Sequence, residues 1–323
     1  MVIMTIVISI FLAINMGASG FSVSFAPSYG CDLVKHKKAV ITYTFCVMLG
    51  ALLLGKRVVE TLNTKLTLQL EPLSGLIIIL ATSFSLFITN LFKLPQSTSF
   101  VIVGAFAGAG LFYHKVNIWK IIEIFGIALI FSLGAFFFTF FLMKIFYPPK
   151  ETNFRLHEKI FANNTIMNVF ILAANSYGAF AIGTNNVANV VAPLLLLPGA
   201  QNPVGLILVF SPLFGLGGLL LGSGLLKTVS KDIIPLGQIS AIIVSFVTST
   251  FVIAASWLGL PTPYVQFTTS SILAISAIKD GVITTSKKAL VQKILFSWFL
   301  VPLVTGGLTY TIHFLIHIIS KGG

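Results

Sequence analysis

The stretch from Gly183 to Pro193, G-T-N-N-V-A-N-V-V-A-P, has an altered copy earlier in the chain, G-A-S-G-F-S-V-S-F-A-P from Gly17 to Pro27. Leu94-Pro95 and Leu260-Pro261 show the same offset of 166 residues, and G-A-L-L-L-G from Gly50 matches G-G-L-L-L-G from Gly217 at 167. Three landmarks in one order at almost one offset indicate an internal duplication. We expect a first transmembrane repeat at residues 1–147, a cytoplasmic linker at 148–160 and a second transmembrane repeat at 161–323.

The composition places both repeats in a lipid bilayer. Of the 323 residues, 56% are hydrophobic and only 9% are charged, with a mean hydropathy of +1.01. No soluble domain of this size has that balance. The net charge of +12 would suit nucleic acid, but the 20 basic residues are scattered in short clusters between apolar segments. We therefore expect a multi-pass protein of the plasma membrane with no nucleic-acid partner.

Ten apolar segments are long enough to form helices, and alternating strand patterns are absent. They cover approximately 2–29, 39–55, 73–91, 96–113, 121–147, 168–197, 204–226, 234–258, 264–278 and 290–319. Each half contains five segments, and an odd number of crossings inverts the second half relative to the first. The sequence thus predicts an all-α membrane protein, a polytopic helical bundle built from two inverted repeats with broken transmembrane helices.

The distribution of lysine and arginine orients this bundle in the membrane. If all ten segments cross, one side carries 14 of the 20 basic residues, so that side is predicted to be cytoplasmic and both termini outside. If the segments after Pro95 and Pro261 enter the bilayer and return, the count is 10 against 10 and gives no preference. We favour ten crossings.

The most polar apolar segment carries Asn185, Asn186 and Asn189 at membrane depth. Such groups are tolerated where they face the bundle interior or a water-filled cavity, although asparagines also join helices by hydrogen bonds. Three of them beside a Gly-Thr break favour a substrate site. The first-half counterpart, with Ser19, Gly20 and Ser22, offers small residues that permit a break or form a packing face.

Two further clusters follow the repeated Leu-Pro pairs. Ser97, Thr98 and Ser99 come after Pro95, and Gln266, Thr268 and Thr269 come after Pro261. Both places have the pattern of a helix start. The hydroxyl groups either cap these helices at the membrane surface, or the helix N-termini present amide donors and a partial positive charge to an anion. We include all twelve residues of the four clusters in the predicted substrate site.

Catalytic chemistry has no visible basis in this sequence. The eight acidic residues lie in loops or near segment ends, and His313 and His317 share a helix face without a third metal ligand. We expect neither an enzyme nor a bound metal or cofactor.

Together with L-P-Q-S-T-S from Leu94, the duplicated glycine motifs resemble the inorganic phosphate transporter (PiT) family, whose signature G-x-N-D-x-A-N occurs in both halves. The resemblance spans nearly the whole chain and implies a secondary transporter with alternating access, which by family likeness forms a homodimer. Where the family has aspartate, this sequence has Gly20 and Asn186. The family also carries a P-V-S-T-T-H motif downstream in each half, and in the second half Pro263-Tyr264-Val265 replaces its S-T-T. That pattern is most similar to the sulfate permease (CysP-type) branch of the family.

The missing aspartates affect both the coupling ion and the substrate. In the phosphate members they help to hold sodium, so their loss argues against sodium coupling. Phosphate at neutral pH keeps a hydroxyl hydrogen that needs an acceptor, whereas sulfate presents acceptors only and suits a pocket of neutral donors. We expect sulfate import by proton symport. The alternative within the family is a sodium-coupled phosphate transporter, and the alternative from another class is an anion channel.

Overall fold

The structure, a computed structural model, describes residues 2–29, 35–91, 96–146, 154, 155, 158, 164–221 and 237–322. Pro95 and most of the predicted linker 148–160 lie outside the described residues. In the described ranges the helices are α1 (Val2–Tyr29), α2 (His36–Gly50), π1 (Ala51–Gly55), α3 (Lys56–Glu60), π2 (Thr61–Leu66), α4 (Pro72–Leu91), α5 (Thr98–Phe112), α6 (Ile118–Phe146), α7 (Asn164–Leu194), α8 (Pro203–Leu220), α9 (Gln238–Trp257), α10 (Tyr264–Asp280), α11 (Val282–Lys287) and α12 (Ala289–Gly322).

Each of the ten predicted segments forms a helix, which confirms the all-α membrane bundle. Apolar segments in lipid fold this way because a helix satisfies its own backbone hydrogen bonds. One segment runs further than predicted, since α2, π1, α3 and π2 follow one another without interruption from His36 to Leu66. The charged residues Lys56, Arg57 and Glu60 ended the apolar run in the sequence, but they did not end the helix.

Eight helices of the described chain are long and apolar enough to cross a bilayer. The two short helices are α5, with 15 residues, and α10, with 17. At 1.5 Å per residue they measure about 22 and 25 Å, less than the roughly 30 Å of a hydrocarbon core. Their lengths favour the alternative in which these segments enter and return, and the orientation of the termini stays a prediction.

The expected breaks in the two signature segments are absent. Residues 17–20 lie within the continuous helix α1, and residues 183–186 lie within the continuous helix α7. The prediction of broken helices at these positions was therefore wrong. The glycines serve a different purpose, because they let neighbouring helices approach until backbone meets backbone.

Four glycines make such close contacts between the two halves. A Cβ on any of them would collide with the backbone of the facing residue: Gly17 with Phe214, Gly217 with Ile14, Gly183 with Val47 and Gly50 with Phe180. The first two contacts join α1 to α8, and the last two join α7 to α2. The corresponding residue numbers differ by 166 or 167, so the packing repeats together with the sequence. The inverted orientation of the two halves stays a prediction.

The short helices are also packed across the halves. Helix α5 lies against α12, and α10 lies against α6, while α1 and α7 contact each other. Gly104 and Gly108 of α5 approach the backbone of Pro302 and Gly306 so closely that neither could carry a side chain. This arrangement directs the beginnings of α5 and α10 towards the middle of α1 and α7.

Candidate functional site

A cavity lies where α1, α5, α7 and α10 converge. The empty space is about 310 Å³, part of it open to solvent, and its lining comes from all four helices: Ser19, Gly20, Val23, Ser97, Thr98, Ile182, Asn186, Tyr264 and Val265. The signature motifs and both predicted helix starts therefore contribute to one site. The enclosed part of this space is small, so only a compact ligand suits it.

The N-termini of α5 and α10 reach this cavity without side-chain caps. The residue before α5 is Ser97 and the residue before α10 is Pro263, and neither makes a capping hydrogen bond. Ordinary capping, one of the two predicted readings, is thus not observed. The first amide groups of both helices have no intrahelical acceptor. Together with the helix dipoles they give this end of the cavity a partial positive charge.

The side chains that line the cavity are neutral. Its polar members are the hydroxyls of Ser19, Ser97, Thr98 and Tyr264 and the amide of Asn186. Within the described residues no group of three or more His, Cys, Asp or Glu side chains could hold a metal ion. Neutral donors beside two helix N-termini can bind an anion without a formal positive charge.

Asn185 does not line the cavity but holds its walls together. Its side chain is completely buried. Its amide nitrogen donates to Ser256 Oγ (3.2 Å), Leu260 O (3.2 Å) and Thr262 Oγ1 (3.1 Å), and its Oδ1 accepts from Ser99 Oγ (2.7 Å) and the Thr262 amide (3.3 Å). Because Ser99 lies in the first turn of α5 and Thr262 precedes α10, one asparagine fixes both helix starts relative to α7.

Asn189 extends this network by one turn of α7. Its Nδ2 donates to Ser99 Oγ at 3.0 Å, while its buried Oδ1 has no hydrogen-bond partner. The predicted alternative, in which asparagines join helices, therefore describes Asn185 and Asn189. Asn186 points towards the cavity instead, because adjacent residues of a helix lie about 100° apart around its axis.

The remaining predicted residues lie near the cavity without lining it. The hydroxyls of Ser22, Thr268 and Thr269 donate to carbonyl groups of their own helices, to Ala18 at 2.8 Å, Tyr264 at 3.0 Å and Val265 at 2.8 Å. Gln266 is buried, and its Nε2 has no hydrogen-bond partner. Of the twelve predicted residues, the structure brings Ser19, Gly20, Ser97, Thr98 and Asn186 to the cavity wall.

Two tyrosines were missing from the predicted site. Tyr264 is the first residue of α10 and lines the cavity. Tyr43 of α2 is fully buried, its hydroxyl donates to the Gly17 carbonyl at 3.1 Å, and a Cβ on Gly20 would lie 2.5 Å from that hydroxyl. Tyr43 thus occupies the space that an aspartate at residue 20 would need. The position of Tyr264 after Pro263 could have revealed it, whereas nothing in the sequence pointed to Tyr43.

The sequence profile of the phosphate transporter family matches residues 16–161 and 150–309 of this chain. The two stretches overlap at residues 150–161. Together they cover most of the chain, including every residue that lines the cavity.

Two known proteins show how the chain compares with individual members. It is 34% identical to the sulfate permease CysP of Bacillus subtilis over 311 residues, covering 94% of this chain and 85% of that protein. A solved structure titled "The sodium-dependent phosphate transporter" superimposes with a TM-score of 0.81 over 98% of this chain and 99% of the other, at 20% identity. At that level of identity the second similarity shows the fold alone.

Proposed function

Because this chain belongs to the phosphate transporter family of membrane transporters, we propose that it imports sulfate across the plasma membrane by proton symport with alternating access. The family assignment makes it a multi-pass anion transporter rather than an enzyme. The choice of sulfate and of the proton is ours, and it depends on the chemistry of the cavity.

The observation that carries the proposal is the meeting of two uncapped helix N-termini in a cavity with neutral walls. Backbone amides and the hydroxyls of Ser97 and Thr98 can donate to several oxygens of one tetrahedral anion. Asn186 supplies a further donor from the opposite helix. The partial charges of the helix ends compensate part of the anion's charge without the desolvation cost of a buried lysine.

Sulfate fits this cavity better than phosphate. Its four oxygens only accept hydrogen bonds, whereas phosphate at neutral pH carries a hydroxyl that is best matched by a carboxylate. The two positions where the family signature has aspartate are Gly20 and Asn186, and both line the cavity. The similarity to a sulfate permease supports the same choice.

Proton coupling follows from the charge that must cross the membrane. A dianion that is imported alone moves against the inside-negative membrane potential. This movement costs about 2.3 kcal/mol for each elementary charge and each 100 mV. Positive ions must therefore accompany it. The cavity lining contains no carboxylate to hold sodium, so we assign this role to protons.

A second candidate is a sodium-coupled phosphate transporter. The fold shared with a sodium-dependent phosphate transporter favours it, because the same helix N-termini would accept phosphate. The oxygens of Asn186 and of the nearby serines would then have to replace the missing carboxylates as sodium ligands.

Uptake by purified protein in liposomes separates these candidates. We expect labelled sulfate to accumulate when an inward proton gradient is imposed, with no requirement for sodium. Phosphate should be taken up at less than a tenth of the rate measured for sulfate. Phosphate uptake that strictly requires sodium would instead establish the second candidate. Large single-channel currents without accumulation would contradict both and indicate a channel. Liposomes containing the Asn186→Leu variant serve as the matched control and should show at least tenfold slower uptake.

A further inference from the structure

A buried histidine lies in a membrane-spanning helix, away from the anion cavity. His313 of α12 is 2% exposed and belongs to the candidate span Val291–Lys321. Its Nδ1 is 2.8 Å from the Thr309 carbonyl, and its Nε2 is 3.0 Å from Ser74 Oγ. Since a carbonyl only accepts, Nδ1 carries the hydrogen, and Nε2 accepts from the serine hydroxyl. The neutral ring is thus fully hydrogen-bonded, with its basic nitrogen facing a hydroxyl group.

Polar groups connect this ring to an exposed carboxylate. The Tyr113 hydroxyl, which follows α5, donates to Glu71 Oε2 at 3.0 Å and also interacts with Ser74. Burial and the bond to Glu71 raise the pKa of Tyr113, so its phenol remains a proton donor at neutral pH. Glu71 is exposed, whereas Ser74 is fully buried. The chain His313–Ser74–Tyr113–Glu71 therefore leads from the protein surface into the bundle.

We infer that His313 is a proton-binding site of the transport cycle, loaded from Glu71 through Tyr113 and Ser74. This inference depends on the proton symport proposed above. Once Glu71 is protonated, the Tyr113 hydroxyl turns from Glu71 towards Ser74. In the loading step the Nε2 lone pair then takes the Ser74 hydroxyl proton, Ser74 takes that of Tyr113, and Tyr113 takes the proton of the Glu71 carboxylic acid. Three O–H bonds break, while two O–H bonds and one N–H bond form. The products are an imidazolium and a carboxylate, so no net charge is created.

The other titratable groups near the His313 ring lie at the edge of this site. On the packed elements these are His114 and Lys115 after α5, and His317 one turn later on α12. Lys115 donates to the Gln69 carbonyl at 2.9 Å and lies 6.0 Å from the centre of the Tyr113 ring. His317 is exposed, and its ring contacts Phe112 at 5.8 Å. Of these groups, His313 is the one that is buried and hydrogen-bonded to Ser74.

Helix α5 links the histidine to the anion cavity. The Phe112 and Tyr113 rings at its C-terminal end lie 5.4 and 5.5 Å from the His313 ring. Ser97 and Thr98 at its other end line the cavity. Between these points the glycine contacts with α12 leave little room for independent movement. A charge on His313 therefore acts on the helix that presents amide donors to the anion.

The test compares two transport modes in liposomes that contain His313→Gln, with His317→Gln as the matched control. Sulfate–sulfate exchange needs no net proton movement, whereas accumulation driven by a pH gradient does. We expect His313→Gln to exchange sulfate within twofold of the wild type, to accumulate at least tenfold less, and to lose the dependence of uptake on pH. The control should retain both modes.

The outcomes distinguish this inference from the proposed function. Normal proton-driven accumulation by His313→Gln would overturn the inference and leave proton symport intact. A wild-type protein that fails to accumulate sulfate under a pH gradient would overturn proton symport itself. If His313→Gln loses both modes, Ser74→Ala decides, because it removes the connecting hydroxyl and keeps the ring. Reduced accumulation with preserved exchange in Ser74→Ala supports the inference, and unchanged accumulation overturns it.

Discussion

The two copies of the signature motif occupy equivalent places but use their polar groups differently. In α7 the side chains of Asn185 and Asn189 bond to Ser99 of α5, and Asn185 also bonds to the connection before α10. In α1 the hydroxyls of Ser22 and Ser24 donate within their own helix. Both copies still contribute to the cavity wall, Asn186 from α7 and Ser19 with Gly20 from α1.

This difference separates the features of the duplicated element that helix packing requires from those that the proposed function requires. The glycines at residues 17 and 183 are present in both copies because both helices need close backbone contact. The polar residues have diverged, so that α7 anchors the two helix starts while α1 offers a small, open wall.

The largest effect should come from a carboxylate placed in the cavity. Asn186→Asp is nearly isosteric, but its negative charge would face the anion, and we expect sulfate uptake to fall at least 100-fold, about 2.7 kcal/mol. Asn186→Ser keeps a neutral donor, so its sulfate uptake should fall less than tenfold. Initial rates in liposomes measure both, and wild-type rates in Asn186→Asp would contradict the role of neutral donors.

The same charge at the equivalent position of the first copy should act through folding. Gly20→Asp has no room beside the Tyr43 hydroxyl, whose ring is packed edge-on against Phe21 and Phe25. We expect the free energy of unfolding in detergent to fall by about 1–3 kcal/mol because of overpacking. Combining it with Tyr43→Phe should recover part of that loss, and no recovery would exclude the hydroxyl as the cause.

Removing the central asparagine should destabilise the bundle. Asn185→Ala leaves Ser99, Thr262 and Ser256 without their shared partner, which should cost about 2–3 kcal/mol. The equivalent change in the other copy, Ser19→Ala, touches an exposed side chain and should cost less than about 0.5 kcal/mol. Unfolding in micelles measures the difference, and equal losses would contradict the division of roles.

The shared glycines should respond alike. Gly17→Ala and Gly183→Ala each insert a methyl group between helix backbones, and we expect similar losses of about 1–3 kcal/mol. Gly126 of α6 has no neighbouring atom within 4 Å of a built Cβ, so Gly126→Ala is the control and should be neutral or slightly stabilising. Clearly unequal losses at 17 and 183 would show that the packing does not repeat.

The smallest effect is expected at Ser22, whose counterpart in the second copy is an alanine. Ser22 corresponds to Ala188 at the offset of 166, and its hydroxyl donates to the carbonyl of Ala18. Ser22→Ala should change stability by less than about 0.5 kcal/mol and leave uptake within twofold. A strong loss of uptake would return Ser22 to the binding site.

The helices and the elements that meet at the cavity could be predicted from the sequence for a physical reason. Apolar runs of about 20 residues have one stable form in lipid, so all ten segments appear where expected. The offset between Gly17 and Gly183 identified the paired elements. Pro261 and the hydroxyl residues after it identified the second helix start, which reaches the cavity.

The details of the site could not be obtained in the same way. Glycine and asparagine suggested breaks, but whether a helix breaks at Gly183 depends on a facing backbone at Val47, which is distant in sequence. Asn185 and Asn186 are adjacent and chemically identical. Only their different directions around the axis of an unbroken helix place Asn185 in the hydrogen-bond network and Asn186 in the cavity wall. Tyr43 fills its space beside Gly20 through tertiary packing alone.

The most direct test of the account is to locate a bound anion. Selenate has the shape and charge of sulfate, and its central atom can be located by anomalous scattering in crystals of the protein. We predict one strong peak in the cavity, within hydrogen-bonding reach of the α5 N-terminus at Ser97 and Thr98 and of the Asn186 amide. A cavity without a peak at saturating selenate, under conditions where the protein transports it, would contradict the account.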